Sequence, residues 1–485
     1  MADGALIGID VGTTAVKAAV VGADGTMLAR FAEGYPTSRS GPGRVEQDPE
    51  DWVRLVEAAL ERFDRHRVAA IGLCSQVNTH VFVDAGGRAL APAIQWQDGR
   101  AAPEAAELDA CVTAEQKARW WGAPMPIDAS HALARMLWMM RHRPEVWAAT
   151  RWVMLPKDYC LLRLTGEATT DPISNIGLVD RDLRYIPEAL ALVGGASERV
   201  APLVPAVEIA GRIGRGPHRG VPVVSGTMDA WAGLVGIGGA ADGSAMYLSG
   251  TSEILGVSSR RVVPTAGAIV FPECGGVRVH AAPTQSGGDA KLWFCGLAGM
   301  TPERMAEMVA GTPRDHTTPL FLPQLEGERA PLWDASLRAA FLGVGRSTTL
   351  AHMARAIYEG VAFAARDAFE TARASGGLAD ADVVLCGGGG FRSDPWTQIR
   401  ADVLDVPLQR IAMGEPGVLG AAMFAAIAAG RFGTIAEASE GLSRHDRVFE
   451  PDPVAAGRYD ELFAVYRDAV ETNAAIGRRL AAAAR

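Results

Sequence analysis

Leu6 to Lys17 reads LIGIDVGTTAVK, and Ala245 to Leu255 reads AMYLSGTSEIL. Each is a hydrophobic strand, a glycine with hydroxyl residues, and a second strand. A bend carrying Gly12, Thr13 and Thr14, or Gly250, Thr251 and Ser252, can turn backbone N–H groups and hydroxyls into one concavity suited to an anion. Glycine and threonine are also ordinary at hairpin bends, so either segment alone is equally a plain β-hairpin. Repetition favours the anion reading, and so does Asp10, which adds nothing obvious to a hairpin but can hold a magnesium ion beside phosphate oxygens. Two such loops predict two related domains facing each other across a polyphosphate.

A chain of 485 residues exceeds what one hydrophobic core organises. The formal net charge of -9 and the lack of any long Lys/Arg run argue against nucleic-acid binding. Six scattered cysteines form no C-x-x-C pair and no zinc-like spacing, as expected of free thiols in a reducing compartment. The N-terminus enters a strand almost at once, without a signal-peptide pattern, and the small-residue stretch Ala421 to Gly430 is too short to span a bilayer. The expectation is a cytoplasmic protein with no membrane partner.

Strand-like and helix-like segments alternate in both halves, which predicts an α/β fold with mixed sheets. Leu6 to Asp10, Ala15 to Val21 and Met27 to Tyr35 read as a three-strand meander. A helix follows, with Asp48 as N-cap and Pro49 at its first position. Val68 to Cys74, Val81 to Asp84 and Ala93 to Gln95 are further strands. Residues 101–205 read as a mostly helical insert whose tryptophans (Trp120, Trp121, Trp138, Trp147, Trp152) suit core packing. The flexible Gly233 to Gly243 marks a boundary. The predicted organisation is therefore an N-terminal domain over 1–240 with the insert, a C-terminal domain over 241–452, and a helical tail over 453–485. In the second half the hairpin Ala245 to Ser258, strands at Ala268 to Phe271 and Val277 to Ala281, a long helix over Leu350 to Ser375 and a buried strand at Val383 to Cys386 repeat the order of the first, which implies duplication.

Asp229, after the strand Val221 to Ser225, reads in two ways. It caps the helix that follows, or it is a general base that accepts a proton from a substrate hydroxyl. The run Gly387 to Gly390 admits a backbone or flat ring closely. It is not a dinucleotide fingerprint, because Arg392 breaks the G-x-G-x-x-G pattern, and Lys17 follows Gly12 at the wrong spacing for a Walker A loop.

Six segments in order resemble the FGGY family of carbohydrate kinases: Gly8 to Thr14, Gln95 to Arg100, Leu155 to Tyr159, Ser249 to Ser252, Phe321 to Pro331, and Gly388 to Trp396. The resemblance covers nearly the whole chain and looks closest to the xylulokinase branch. It implies two duplicated actin-like (ribonuclease H-like) ATPase domains with a cleft between them, and ATP with Mg2+ as the phosphoryl source. It implies that Asp229 is the catalytic base and that Asp10 attends the metal-bound nucleotide. Gly12, Thr13, Thr14, Gly250 and Thr251 would form the phosphate loops, with Lys17 an uncertain addition. Gly388, Gly389 and Ser393 would hold adenosine, while Gln76, Val77, Asn78, Trp96 and Asp98 would lie near the sugar. The partner is a small sugar or polyol; a homodimer stays open.

One departure bears on the acceptor. Xylulokinases usually carry Gln-Met-His-Gly and glycerol kinases Gln-Arg-Glu-Thr where this chain has Gln76-Val77-Asn78-Thr79. Val77 and Asn78 change pocket volume and hydrogen-bond donors together. His80 is expected as a partly exposed strand histidine. The function expected is ATP-dependent phosphorylation of a terminal hydroxyl, with a ketopentose such as D-xylulose the leading acceptor and another sugar or polyol, or a non-catalytic sugar sensor, the alternatives.

Overall fold

The computed structural model describes residues 4–483 except Pro42, Ala123 and Ala335. They form two compact units. The first runs to Gly236 and takes in Pro272–Gly276 and Pro416–Ser443; the second comprises Ile237–Phe271, Val277–Glu415 and the residues from Arg444 onward.

In the first unit β1 (Ala5–Val11), β2 (Ala15–Val21) and β3 (Met27–Gly34) form an antiparallel meander. Along β1, Leu6, Ile7 and Ile9 are buried, a nearly continuous apolar run that suits a strand covered on both faces. Parallel to β1 lies β4 (Val68–Ser75), and β5 (Ile209–Arg212), β6 (Pro222–Val224) and β7 (Thr227–Met228) complete the sheet in the order β5-β6-β4-β1-β2-β3, with β7 also on β4.

The second unit repeats this plan. Strands β8 (Ala245–Ser249), β9 (Glu253–Ser258) and β11 (Val279–Pro283) are an antiparallel meander, with β10 (Ile269–Val270) on its edge. On the far side of β8 run β12 (Val384–Gly387) and β13 (Leu408–Ile411), both parallel, and then antiparallel β14 (His445–Phe449). In each unit three residues join the first two strands, Gly12–Thr14 between β1 and β2 and Gly250–Ser252 between β8 and β9.

The helix Pro416–Ala428 belongs to the first unit despite its late place in the chain, and glycines let it touch the sheet backbone to backbone. Gly8 and Gly72 are paired neighbours on β1 and β4. A Cβ on Gly8 would fall 1.9 Å from the Val418 carbonyl oxygen, and one on Gly72 would fall 1.9 Å from that of Ala421. On its other side Gly420 meets the Ala232 carbonyl of the helix Asp229–Gly236, where a Cβ would come to 1.8 Å.

Elsewhere the local signals hold. Asp48 Oδ1 accepts from the Glu50 N–H at 3.0 Å, with Pro49 opening the helix Pro49–Arg62. The insert is helical only to Thr165. From Gly166, which caps its helix at φ 85°, to Pro205 the chain is mostly turns with the short helix Pro187–Leu190, since Pro172, Gly177, Pro187 and Gly195 interrupt it. Trp120, Trp121, Trp138 and Trp147 are buried in the core of this insert. The tail forms one helix, Pro453–Ala483. No described helix is long and apolar enough to cross a membrane.

The close helix contact predicts that Gly72→Ala lowers stability by about 3 kcal/mol or more, since backbone cannot yield as a flexible side chain does. Gly296, inside the helix Gly288–Ala298 with nothing within 4 Å of an added Cβ, is the control. Gly296→Ala should stabilise by about 0.5 kcal/mol. Thermal and urea unfolding of the two variants measure both.

Candidate active site

The first-unit loop is held by a ring of side chains. Gly12 N–H donates to Ala15 at 3.1 Å, closing the bend, and the Tyr35 hydroxyl donates to the Gly12 carbonyl. Gln47 Nε2 donates to the Thr13 carbonyl at 2.8 Å, Gln76 Nε2 donates to Gln47 Oε1 at 2.8 Å, and Thr79 Oγ1 donates to Gln76 Oε1 at 3.1 Å. The ring closes where Trp96 N–H donates to Thr79 Oγ1 at 3.1 Å and Trp96 Nε1 donates to the Thr13 hydroxyl at 3.2 Å. Thr14 stays exposed. Gly12 and Thr13, expected at the phosphate, and Gln76 and Trp96, expected near the sugar, thus share one network. Gln47 and Tyr35 were not legible as its members, since they come from the strand Arg44–Gln47 and from the residue after β3.

Asp10 lies at the end of β1, opposite Lys17 in the β1–β2 register, so the two side chains share a face of the sheet. Gly417 faces this spot, with its would-be Cβ 3.2 Å from Asp10 Oδ2, and Cys74 Sγ donates to the Gly417 carbonyl at 3.4 Å. Burial, then the charges of Asp10 and Asp229, push the Cys74 thiol well above its ordinary pKa, which keeps it neutral and places both carboxylates in one electrostatic neighbourhood. A magnesium–nucleotide asks for one or two carboxylates and takes its other ligands from phosphate and water, so Asp10 fits that role.

Asp229 opens the helix Asp229–Gly236, and its Oδ1 accepts from the Ala230 N–H at 2.7 Å. That bond is local, to the adjacent residue, and the start of a helix is a place where negative charge is favourable. What aims Asp229 is β7. Gly226, at φ 66°, turns the chain where a Cβ would sit 1.7 Å from the Leu73 carbonyl, and Thr227 Oγ1 donates to Asp171 Oδ2 at 2.8 Å. Asp171 in turn faces Lys157 at 2.8 Å, which also meets Asp158 at 2.5 Å, all three fully buried. Burial opposes the Lys157 charge, but the two carboxylates outweigh it and hold its pKa above the ordinary value.

On the acceptor side, Asn78 adopts φ 56° and its Nδ2 donates to Ser130 Oγ at 3.2 Å; Val77 beside it is half-buried. Gln76 and Asp98, expected beside the sugar, are buried with their polar atoms bonded within the unit. Asp98 accepts from Val45 N–H at 2.6 Å and from Arg100 Nε at 2.8 Å and Nη2 at 2.7 Å; burial works against its charge, yet these donors hold it below the usual carboxylate range. His80 corrects the sequence reading. It is buried, not partly exposed, because its backbone bridges to Ile94 and its Nδ1 lies 3.1 Å from Arg135. Burial and the Arg135 charge drive its pKa well down, so the ring is neutral and Nδ1 is the acceptor.

In the second unit Gly250 N–H donates to Ser252 at 3.0 Å, and Gly288 N–H and Asp289 N–H donate to the Gly250 and Thr251 carbonyls at 3.1 and 3.2 Å. Beneath the loop Arg400 donates to Ser249 Oγ and Glu253 Oε1, each at 2.9 Å, and to the Gly390 carbonyl at 3.0 Å. Gly388 (φ 100°) and Gly390 leave no room for a side chain, with would-be Cβ atoms 2.3 Å from the Ser249 carbonyl and 1.8 Å from its hydroxyl. Gly389 faces open space, and a cavity of about 260 Å³ lined by Gly387, Gly388, Phe391, Arg392 and Arg410 adjoins it. Ser393 precedes the helix Asp394–Leu404. The Glu253–Arg400 pair carries no sequence signal, since its members lie far apart in the chain.

Comparison with known proteins agrees with this geometry. Residues 5–236 match the model of the N-terminal domain of the FGGY family of carbohydrate kinases, and residues 245–429 match that of its C-terminal domain. A xylulose kinase of Escherichia coli strain K12 is 32% identical over 445 residues, covering 87% of this chain and 90% of that protein. A ligand-bound xylulose kinase structure from Lactobacillus acidophilus aligns at a TM-score of 0.86 with 25% identity, covering 98% of this chain and 99% of that one. A gluconate kinase from the same organism aligns at 0.87 with 24% identity over 98% and 99%, a likeness of fold.

Two outcomes follow from the buried charges. Lys157→Met leaves Asp158 and Asp171 without their cation and should cost about 3–5 kcal/mol, while adding Asp158→Asn and Asp171→Asn should recover most of it, as urea unfolding will measure. Glu328 Oε1 accepts from the Gln285 and Arg329 N–H groups, and burial raises its pKa from 4.5 to about 7. The folded state then holds this proton more tightly than the unfolded chain, so its contribution is fully present below pH 4.5 and is lost as pH rises toward about 7. Glu328→Gln should remove a stability slope of roughly 3 kcal/mol across that window, read from unfolding at pH 5 and pH 8.

Proposed function

Because the chain belongs to the FGGY family of carbohydrate kinases, we propose that it transfers the γ-phosphoryl group of ATP to a terminal hydroxyl of a small sugar, a ketopentose such as D-xylulose. The observation that carries the reading is the first-unit constellation. Thr13 is tied to Trp96, and Asp10 and Cys74 both lie against Gly417 of the helix that also packs, through Gly420, on the Asp229 helix. The ketopentose follows from the relatives named xylulose kinase that match over nearly the whole chain.

Trp96 and Asn78, both half-buried, contact the acceptor in this reading, while the fully buried Gln76 and Asp98 shape the pocket behind them. Asp229 accepts the hydroxyl proton as that oxygen attacks phosphorus and the bridging oxygen leaves with ADP. Its place at the start of a helix is one where negative charge is favourable. N–H groups of the glycine-hydroxyl loops receive the charge that grows on the transferring group, which is the chief source of rate in phosphoryl transfer. Magnesium held at Asp10 would neutralise phosphate charge when bound. Gly388, Gly389 and Ser393 take the adenosine, since Gly389 has open space before it.

Asp229→Asn tests the assignment. Sugar-dependent ADP release should fall by about 10²- to 10⁴-fold, with ATP affinity by calorimetry little changed. Turnover at the wild-type rate would remove Asp229 from the chemistry.

A further inference from the structure

Arg135, on the helix Ala132–His142, is completely buried, yet among the described residues no carboxylate pairs with it. A buried guanidinium without a counter-ion is costly, so its hydrogen bonds have to hold it. They are unusual in kind. Its Nη1 donates to the Asn78 carbonyl, to the Ile94 carbonyl at 2.9 Å and to His80 Nδ1 at 3.1 Å; Nη2 donates to the Gln95 carbonyl at 2.7 Å, and Nε to the Ala129 carbonyl at 3.3 Å. Every acceptor is neutral.

These acceptors belong to the segments that carry Asn78 and Trp96, and to the turn that supplies Ser130 to the Asn78 amide. Asn78 at φ 56° sits in a backbone region that non-glycine residues seldom occupy and that its surroundings have to impose. A planar fork with five donors can pin several carbonyls in one geometry, which an ammonium cannot. We propose that Arg135 is a positioning residue that fixes the Gln76–Asn78 and Gln95–Trp96 segments relative to each other and so sets affinity for the sugar without affecting the nucleotide. The proposal rests on the reading that Asn78 and Trp96 meet the acceptor.

The test is steady-state kinetics of the wild type, Arg135→Lys and Arg135→Met, with D-xylulose and ATP varied in turn. In Arg135→Met the KM for sugar should rise on the order of tenfold or more while the KM for ATP stays within about twofold. Arg135→Lys, which reaches fewer carbonyls, should fall between. If Arg135→Met does not fold, the lysine variant carries the test, because it keeps the charge. An unchanged sugar KM in either folded variant overturns the proposal, and so does an equal rise in both KM values. Should the wild type use another sugar but not D-xylulose, the ketopentose reading fails and the same comparison is made with that sugar; a wild type that uses none overturns both.

Discussion

The first unit depends on a backbone contact. The helix Pro416–Ala428 lies on β1 and β4 so closely that Gly8 and Gly72 admit the carbonyls of Val418 and Ala421 and nothing more. From that approach comes the position of Gly417 beside Asp10 and Cys74. The same helix holds the base of the Asp229 helix through Gly420 and Ala232. Two carboxylates from segments more than two hundred residues apart in sequence thus take their places from one late helix. Interiors packed to crystal-like density transmit small shifts, so a displaced helix would move both carboxylates with it.

The two glycine-hydroxyl loops share a topology but rest on different supports. The loop at Gly12 is braced by neutral groups, Gln47, Gln76, Thr79, Trp96 and Tyr35. The loop at Gly250 stands over the buried Glu253–Arg400 pair, where Arg400 also lies 3.9 Å from the centre of the Trp396 ring. The neutral bracing links the loop to the residues assigned to acceptor recognition; the ionic one links its loop to the glycine run assigned to adenosine. In each unit a support ties the glycine-hydroxyl loop to the part that the proposed function assigns to one substrate.

Sequence made the hairpins, the duplicated meander and the Asp48 cap legible because each is written in residues close together. Thr13 and Trp96, which the structure joins by a hydrogen bond, were also singled out by their motifs. Other features depend on contacts between distant segments and leave no local trace. Nothing in Pro416–Ser443 announces the unit in which it packs, and nothing around Arg135 announces its distant carbonyl partners. His80 was misjudged for the same reason: alternation along a strand does not reveal the insert helix that covers it. Beyond Gly166 the helical reading of the insert gave way to prolines and glycines whose combined effect outweighed the apolar content.

All these supports converge on sugar-dependent phosphoryl transfer. The most direct test is ADP release by the purified chain with ATP and magnesium across ketopentoses, aldoses, gluconate and polyols. The account predicts release that requires sugar and is fastest with a ketopentose. ATP hydrolysis that proceeds equally without sugar, or no ADP release with any member of the panel, would contradict it.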